Sequence, residues 1–519
     1  MIRTLYFHSG VETPKHYMSS SRCFALLLAC PLLACAADRP NVLLIYGDDV
    51  GYGDVGAYGA EKIPTPNIDR LASEGLRFTD GHCASSTCTP SRYSLLTGEL
   101  PLRKERMGIA HGLSNMIVSP DQFTLADLFK AVGYRTAVIG KWHLGLDDEP
   151  IDWNGRIEPG PESLGFDHHF IIPATNDRLP TVYVEDGGVV GLDPDDPITV
   201  RRGSYEEPIP DSVAGTPYPI ALLEPDAVTA YPGDHAHSGS VINGIGRIGK
   251  MKGGKSALFK DEDIADDLVR EATAFIRESG DEPFFLYFSA NDIHAPRWPH
   301  SRFRGKSDHG LRGDAMVSFD WSAGALLGLL DELGLAKDTL VILTSDNGPV
   351  YIDGGYLDGC KTCGSGGADH GHFAAGPYRG GKYQIYEGGT RVPFIVRWPG
   401  RVDPGVSDAL FSQVDLLGSL SSLLGVEIPP GQAADSRDFV NALTGKDSKG
   451  ADWIVTCSFK DVAIRHGEWK YVSDPPQLFN LREDPGERDN AIGDHPKKVA
   501  EMQALLERVR ARSSRSGTD

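Results

Sequence analysis

The stretch Asn41-Val-Leu-Leu-Ile-Tyr46, which runs directly into Gly47-Asp48-Asp49, decides the fold that the sequence predicts. A continuous apolar run of this length is typical of a strand that is buried on both faces of a parallel sheet. Two adjacent carboxylates at its end are either solvated loop charges or paired oxygen ligands for a hard divalent cation. We therefore expect an α/β fold with a functional edge where this strand ends.

Three later runs have the same character and are also followed by polar residues: Arg135–Ile139 by Lys141 and His143, Pro283–Phe288 by His294, and Leu340–Thr344 by Asp346 and Asn347. Apolar spacing predicts helices around them, at 67–77, 121–131, 263–279 and 314–333. Strands that alternate with helices form parallel sheets with right-handed crossovers, and ligands bind outside the carboxyl ends of such strands. The sequence therefore predicts a large, mostly parallel sheet sandwiched by helices, with these side chains meeting at one edge.

A short helix is predicted in Thr87-Cys-Thr-Pro-Ser-Arg-Tyr-Ser-Leu-Leu-Thr-Gly98. Because proline favours the first helical position and glycine the helix end, Cys88 is expected at the helix N-terminus, where negative charge is favoured. Arg92 returns to the same face one turn later. This arrangement suits a nucleophile. The alternative is a buried cysteine that caps the helix or forms a disulfide with Cys83.

The predicted edge offers four oxygen donors, with no histidine or cysteine among them: Asp48, Asp49, Asp346 and Asn347. Such a set suits Ca²⁺ or Mg²⁺ and is poor for zinc. A thiol at position 88 would be a soft, ill-matched fifth ligand.

The chain of 519 residues has 51 basic and 72 acidic side chains and a net charge of −21, which argues against nucleic acid as its main partner. An anionic substrate would need a local basic pocket in this acidic surface. With 60 glycines and 35 prolines but no repeat or low-complexity run, the sequence predicts long ordered loops.

Residues 1–36 are predicted to be a signal peptide. An apolar stretch from Cys23 ends in Ala34-Cys35-Ala36, which resembles a cleavage site, and Met18 is an alternative start. Export to the periplasm or beyond is expected, with lipid anchoring at Cys35 as the alternative. No other segment is expected to cross a membrane.

The remaining chain is predicted to form two domains, 37–400 and 401–519. The first contains a loop-rich insert at 146–262, with a β-like piece at Thr181–Val184, and is closed by a strand at Val392–Arg397. The second is a small α+β unit with helices near 412–424 and 496–512, strands near 452–458, 461–466 and 469–473, and a turn-rich segment at Leu478–Glu487.

The pattern Cys-x-Pro-Ser-Arg from Cys88 to Arg92, followed by Leu-Leu-Thr-Gly, resembles the signature of the type I sulfatases of the alkaline-phosphatase superfamily. The resemblance extends from Asn41 to about Pro399. It implies that a maturation enzyme oxidises Cys88 to formylglycine, whose hydrate offers a hard oxygen in place of the thiol. It also implies that Asp48, Asp49, Asp346, Asn347 and residue 88 hold a metal, usually Ca²⁺, with Mg²⁺ as the alternative.

The resemblance further implies that Arg92 orients the formylglycine and that Lys141 and Lys382 bind sulfate oxygens. His143 would act as base on the formylglycine diol, and His294 as acid on the leaving group. Substrate contacts are expected from five residues of the loop-rich insert: Asn176, Asp177, Arg178, His235 and His237.

The expected activity is hydrolysis of sulfate esters on a sulfated saccharide, first of all galactose or N-acetylgalactosamine 6-sulfate. A phosphatase, phosphodiesterase or phosphonate hydrolase of the same superfamily is one alternative. A non-catalytic binder of sulfated glycan, in which Cys88 stays a thiol, is another. The oligomeric state stays open.

The motif Cys360-Lys-Thr-Cys363, near His370 and His372, favours a disulfide or free thiols over a zinc knuckle in an exported protein.

Overall fold

The computed structural model describes residues 39–104, 107–148, 150–203, 209–233, 235–351 and 371–512. In chain order, its strands are β1 (Asn41–Gly47), β2 (Leu76–Phe78), β3 (Gly81–His82), β4 (Arg135–Lys141), β5 (His168–Ile172), β6 (Val184–Glu185), β7 (Gly188–Val189), β8 (Thr199–Arg201), β9 (Val241–Ile242), β10 (Ile245–Gly246), β11 (Lys250–Lys252), β12 (Phe284–Ser289), β13 (Thr339–Ser345), β14 (Phe394–Arg397), β15 (Gly405–Ser407), β16 (Phe411–Ser412), β17 (Trp453–Cys457), β18 (Val462–His466), β19 (Trp469–Ser473) and β20 (Pro476–Asn480). Its α-helices are α1 (Pro66–Glu74), α2 (Cys88–Thr97), α3 (Leu125–Lys130), α4 (Ile264–Ser279), α5 (Gly310–Glu332), α6 (Glu387–Thr390), α7 (Leu416–Leu424), α8 (Val440–Leu443) and α9 (Pro496–Ala511).

The fold is organised around a ten-stranded sheet with the order β15-β2-β14-β13-β1-β12-β4-β5-β6-β7. The five neighbours from β13 to β5 run parallel, and antiparallel strands β14 and β6 flank them. Every residue of β1 is buried, because β12 and β13 pair along its two edges and apolar cores cover both faces of the sheet. The predicted buried central strand and mostly parallel sheet are confirmed.

Alternate residues of β1 face two separate cores. Val42, Leu44 and Tyr46 pack on the face covered by α2, α3 and α7. Leu43 and Ile45 pack on the opposite face, which α1, α4 and α5 cover. Complete burial of one such aliphatic side chain stabilises the fold by about 1.5–3 kcal/mol. The sheet is therefore sandwiched by helices, as predicted.

The C-terminal part forms a second, antiparallel sheet in the order β17-β18-β19-β20. Helix α9 covers one face of it, where Met502 and Leu506 pack with Val455 and Ile464. A smaller C-terminal α+β domain is thus present. Strands β15 and β16 still pair with β2 and β3, so the exact division of the chain at residue 400 stays a prediction.

Several predicted elements have different bounds in the structure. The helix predicted at 67–77 ends at Glu74, because Gly75 breaks it and the next residues form β2. Helix α3 begins at Leu125 rather than near Asp121, since Thr124 caps it by accepting a hydrogen bond from Asp127 N. Part of the segment predicted as turns at 478–487 belongs to β20, which pairs with β19.

The loop-rich insert contains strands β5 to β11, and the longest of them, β5, pairs parallel with β4 in the large sheet although the sequence did not predict it. Of the β-like piece at Thr181–Val184, only Val184 lies in a strand. Within the described ranges, the structure has no helix that is long and apolar enough to cross a membrane. The expected signal peptide and the Cys360–Cys363 motif lie outside these ranges.

Candidate active site

The polar side chains that follow β1, β4, β12 and β13 meet at one edge of the large sheet. Ligand atoms of Asp48, Asp49, Asp346 and Cys88 lie within 4.8 Å of one another. Those of Asp48, Cys88 and His294 form an overlapping group of three, also within 4.8 Å of one another. Four chain segments that are far apart in sequence therefore converge where the carboxyl ends of parallel strands predict a ligand site.

Helix α2 places Cys88 in this group. Cys88 is its first residue and is 1% exposed, while Pro90 is its third residue rather than the expected first. Gly98 ends the helix with a φ of 66°, a left-handed conformation that glycine adopts without strain. Burial raises the pKa of the Cys88 thiol to about 11, although Lys141 and Lys382 oppose this. An unmodified Cys88 is therefore a neutral thiol and a poor nucleophile.

Arg92 joins α2 to the ends of two strands. Its Nε and Nη2 donate to Asp346 Oδ2 at 3.0 and 2.7 Å, and its Nη1 donates to Ser289 Oγ at 2.5 Å. The side chain is fully buried. Charge-assisted bonds of this kind are the strong ones in proteins, so Arg92 fixes the position of Cys88 relative to β12 and β13.

Two lysines reach into the carboxylate group. Lys141 Nζ donates to Asp48 Oδ2, and Lys382 Nζ lies 2.7 Å from Asp49 Oδ1. Burial and Asp346 raise the pKa of Asp48 to about 7, with Lys141 opposing. Although burial opposes it, Lys382 holds the pKa of Asp49 well below its usual range. The lysines thus neutralise the crowded carboxylates only in part.

Two buried oxygens in the cluster, Asp48 Oδ1 and Asn347 Oδ1, have no hydrogen-bond partner among the described residues. Asn347 Nδ2 donates to Asp49 Oδ1 at 2.7 Å and to Gly348 O at 2.9 Å, which assigns the amide orientation. A buried acceptor without a partner costs about 1–3 kcal/mol. Hard oxygens in an acidic, incompletely neutralised cluster fit Ca²⁺ or Mg²⁺. The donors present therefore suit the expected metal.

The backbone contacts of His143 define its tautomer. Ala110 O can only accept, so the His143 Nε2 that lies 3.0 Å from it carries the proton. The buried Nδ1 has no partner among the described residues. Burial, Lys141 and Arg178 hold the pKa of His143 well below its usual value. The ring is therefore neutral, and its Nδ1 lone pair is available to take a proton.

His294 has the opposite arrangement. Its Nδ1 donates to Ala295 O at 2.6 Å, and its Nε2 lies 4.0 Å from Asp49 Oδ2. Burial, Lys382 and Lys141 hold the pKa of His294 well below its usual value. The ring is therefore neutral before substrate binds.

Four of the five expected substrate contacts lie together beside the His294 loop. Asn176 Nδ2 donates to Pro296 O at 3.1 Å, and Asp177 binds both His237 Nε2, at 3.4 Å, and Arg178 Nη1, at 3.1 Å. Asp177 is buried, and Arg178 and His237 hold its pKa well below the usual range against the effect of burial. His235 begins a short 3₁₀ turn, and its side chain is outside the described part.

Several groups of the site carried no sequence signal of their role. Thr89 Oγ1 donates to His143 O and accepts from Ala110 N, both at 3.0 Å, and so holds together the two backbone segments that meet at the contact between His143 and Ala110.

Asp49, His143 and Tyr383 have φ angles of 62°, 60° and 73°. Such left-handed conformations cluster at functional sites, but only coordinates reveal them.

The disulfide between Cys83 and Cys88, considered as an alternative, is not formed. Cys83, Cys88 and Cys457 are all free, buried thiols. Cys83 Sγ donates to Ser85 O at 3.1 Å and to Thr390 O at 3.2 Å, so it faces the backbone rather than Cys88.

Comparison with known proteins finds one matching family and several similar proteins whose names place them in it. The family described as Sulfatase matches residues 40–426. The chain is 47% identical to an N-acetylgalactosamine-6-O-sulfatase of Bacteroides thetaiotaomicron, over 92% of this chain and 94% of that protein. It is 32% identical to arylsulfatase A of Bos taurus, over 90% and 86% of the two chains. A solved structure from work on the metabolism of multiple glycosaminoglycans by Bacteroides thetaiotaomicron superposes with a TM-score of 0.87 and 46% identity, covering 92% of this chain and 100% of that one.

Proposed function

The chain belongs to the sulfatase family and hydrolyses sulfate esters, and from this premise we propose that it removes the 6-sulfate of galactose or N-acetylgalactosamine in a sulfated carbohydrate. The name of the relative with 47% identity supports this choice of sugar and position. The observation that carries the chemistry is that two oxygens beside buried Cys88, Asp48 Oδ1 and Asn347 Oδ1, have no hydrogen-bond partner in the part of the chain that the structure describes.

We propose that Cys88 is converted to formylglycine by a maturation enzyme and that Ca²⁺ binds beside it. The residues that would hold the metal are Asp48, Asp49, Asp346, Asn347 and the modified residue 88. The bound cation would neutralise the carboxylates and polarise the sulfate group. Hydrated formylglycine supplies two hydroxyls, one to receive the sulfuryl group and the other to expel it.

The side chains of this chain then have separate tasks. Arg92 holds residue 88 in place through Asp346 and Ser289. Lys141 and Lys382 exchange part of their contact with Asp48 and Asp49 for the sulfate oxygens, where their charge stabilises the transferring group. Substrate contacts come from the group formed by Asn176, Asp177, Arg178 and His237, with His235 as a further candidate.

Proton transfer is assigned to the two histidines. The free Nδ1 of neutral His143 takes a proton from residue 88. Bound sulfate brings negative charge next to His294 and favours its protonated form, whose Nε2 gives a proton to the leaving alcohol.

We propose an exported enzyme, on the basis of the apolar stretch that ends in Ala34-Cys35-Ala36.

Conversion of Cys88 is tested by intact mass of the tryptic peptide from Phe78 to Arg92. Formylglycine differs from cysteine by the loss of one sulfur and two hydrogens and the gain of one oxygen. We expect Cys88→Ala to abolish turnover while the unfolding midpoint stays close to that of the parent protein. Full activity of Cys88→Ala would reject the assignment.

The substrate is tested with a panel of sulfated mono- and disaccharides that differ in sugar and sulfate position. Paired sulfate and phosphate esters of one aryl alcohol serve as the control for reaction type. We expect the highest kcat/KM for the 6-sulfates of galactose and N-acetylgalactosamine. Faster release from another position would overturn the proposed substrate but not the family.

A further inference from the structure

Tyr383 and Phe459 form an exposed aromatic pair that the reaction above does not use. Their ring centroids are 5.9 Å apart and their planes differ by 15°. The two residues are 37% and 48% exposed. Adjacent exposed aromatic rings are a feature of binding sites rather than of ordinary protein surface.

Both rings are attached to the segment that leads into Cys88. Tyr383 N donates to Ser86 O at 2.8 Å, and Ser86 N donates to Cys457 O at 2.9 Å. Phe459 follows Cys457, the last residue of β17, by two positions. Both contacts are made to the backbone of Ser86, two residues before Cys88, so the chain segments that carry the two rings are held beside the segment that leads to the reacting residue.

The pair extends from the lysine side of the site to the histidine side. Tyr383 follows Lys382, whose Nζ lies 5.7 Å from the Tyr383 ring centroid. Phe459 Cε1 lies 3.8 Å from where a Cβ on Gly108 would be. Gly108 lines a cleft of about 530 Å³ together with Ala110, whose carbonyl accepts from His143. Phe459 therefore lies next to a residue that lines this cleft, and Ala110 connects the cleft to the proposed base.

The cleft suits a second sugar in both size and charge. Small-molecule sites typically enclose about 300–1,000 Å³ and combine apolar surface with a few polar groups. Two cations, Lys104 and Arg202, line it. A pyranose ring presents one apolar C–H face to an aromatic ring, and a carboxylate or sulfate on it would face the cations.

We propose that Tyr383 and Phe459 form a stacking subsite for an anionic sugar linked to the one that carries the scissile sulfate. The inference rests on the proposed sulfated-carbohydrate function. It makes the C-terminal domain, which carries Phe459, a contributor to substrate selection. The subsite acts on oligosaccharides, because Phe459 and the cleft beside Gly108 would contact the sugar linked to the one that carries the scissile sulfate.

The test compares kcat/KM for N-acetylgalactosamine 6-sulfate with that for an anionic tetrasaccharide that ends in this sugar. In the parent protein we expect a preference for the tetrasaccharide. Phe459→Ala should lower the ratio of the two values by about fivefold to tenfold, the range expected for one stacking contact. Phe459→Trp, which keeps an aromatic face, should restore it.

Phe373→Ala is the matched control, because Phe373 is 55% exposed and lies outside the aromatic pair. Its ratio should equal that of the parent protein. An unchanged ratio in Phe459→Ala overturns the subsite. If the parent protein cleaves neither sugar, the proposed substrate is wrong. The ratio is then measured on the sulfated sugar that the panel identifies, and an unchanged ratio there overturns the subsite in the same way.

Discussion

At the scale of single residues, His143 shows how the environment selects a chemical role. Ala110 O fixes the proton on Nε2, Thr89 joins the two backbone segments, and burial keeps the ring neutral. A neutral imidazole with a free lone pair is the form that a base requires. The surroundings of His143 therefore support its proposed role as base.

The pH dependence of turnover tests this role. Because burial, Lys141 and Arg178 lower the pKa of His143, its base form persists below the ordinary histidine value of about 6.5. We expect kcat/KM to stay high as pH falls to 6.5 and to decline only at lower pH. Arg178→Gln removes one of the positive charges that lower the pKa of His143. The decline should therefore move to higher pH. A decline centred at or above pH 6.5 in the parent protein would assign the base to another group.

Sequence patterns predicted the acidic and basic members of the site but not the groups that position them. Asp48, Asp49, Asp346 and Asn347 each follow a run of apolar residues, so topology alone brings them together. In the contact between Thr89 and His143, a side chain donates to a backbone carbonyl. Every residue has such a carbonyl, so the sequence does not show which one the side chain binds. Pairing of that kind is settled by tertiary packing.

At the scale of elements, α5 supports the segment that follows Asp48 and Asp49. Arg312 Nη1 and Nη2 donate to the two oxygens of Asp54, both at 2.6 Å, and His372 Nε2 lies 2.8 Å from Asp54 Oδ1. Asp54 Oδ2 also accepts from Gly51 N at 2.7 Å. This carboxylate is fully buried, so its charge depends on these partners.

Arg312→Met is expected to lower the free energy of unfolding by about 3–5 kcal/mol, because it leaves the Asp54 charge buried and short of a partner. Denaturant titration measures the change. Arg277→Met is the matched control: Arg277 pairs with Glu332 at 2.7 Å on the surface, with side chains 45% and 61% exposed. Its loss should cost less than about 1 kcal/mol. Equal effects of the two substitutions would contradict this account.

Element prediction succeeded where the apolar pattern was long and failed where it was short. The runs that became β1, β12 and β13 are unambiguous. β2 has only three residues and follows directly on a helical pattern, which the prediction extended across it. β5 starts with two histidines inside the loop-rich insert, so its apolar run is too short to identify. Its pairing with β4 and β6 makes it a strand.

At the scale of the whole molecule, a buried ionic network joins the large sheet's domain to the C-terminal sheet. Lys470 on β19 lies 3.1 Å from Glu387 on α6 and 2.9 Å from Glu487. Arg465 on β18 lies 2.6 Å from Asp80. The described chain from Arg39 onward forms one compact unit. Removal of one member leaves the charge of its partners poorly compensated.

Lys470→Met is expected to destabilise the protein by about 3–5 kcal/mol, because two buried carboxylates lose their shared cation. Against the effect of burial, Lys470 and Arg391 hold the pKa of Glu387 well below its usual range. The stabilisation from this group is present above the unfolded-state value of about 4.3 and is lost as pH falls through the folded-state value. The variant should therefore unfold at a higher pH during acid titration.

Lys498→Met is the control for that substitution, since Lys498 pairs with Glu501 on the surface of α9 at 2.7 Å. The pH midpoint of acid unfolding of Lys498→Met should match that of the parent protein. Its free energy of unfolding, measured by denaturant titration, should differ from that of the parent protein by less than about 1 kcal/mol. If Lys470→Met behaved like this control, the contacts of Lys470 would not contribute to holding the two domains together.

The backbone hydrogen bonds of Ala84 and Ser86 with Cys457 can form only late in the synthesis of the chain. The ribosome makes the partner strand roughly 370 residues after the segment it closes upon, which at about 5–20 residues per second is a delay of some 20–70 s. Until then, Cys88 is not yet buried as it is in the complete fold, where it is 1% exposed. The proposed maturation enzyme would therefore reach Cys88 more readily in the nascent chain than in the completed fold.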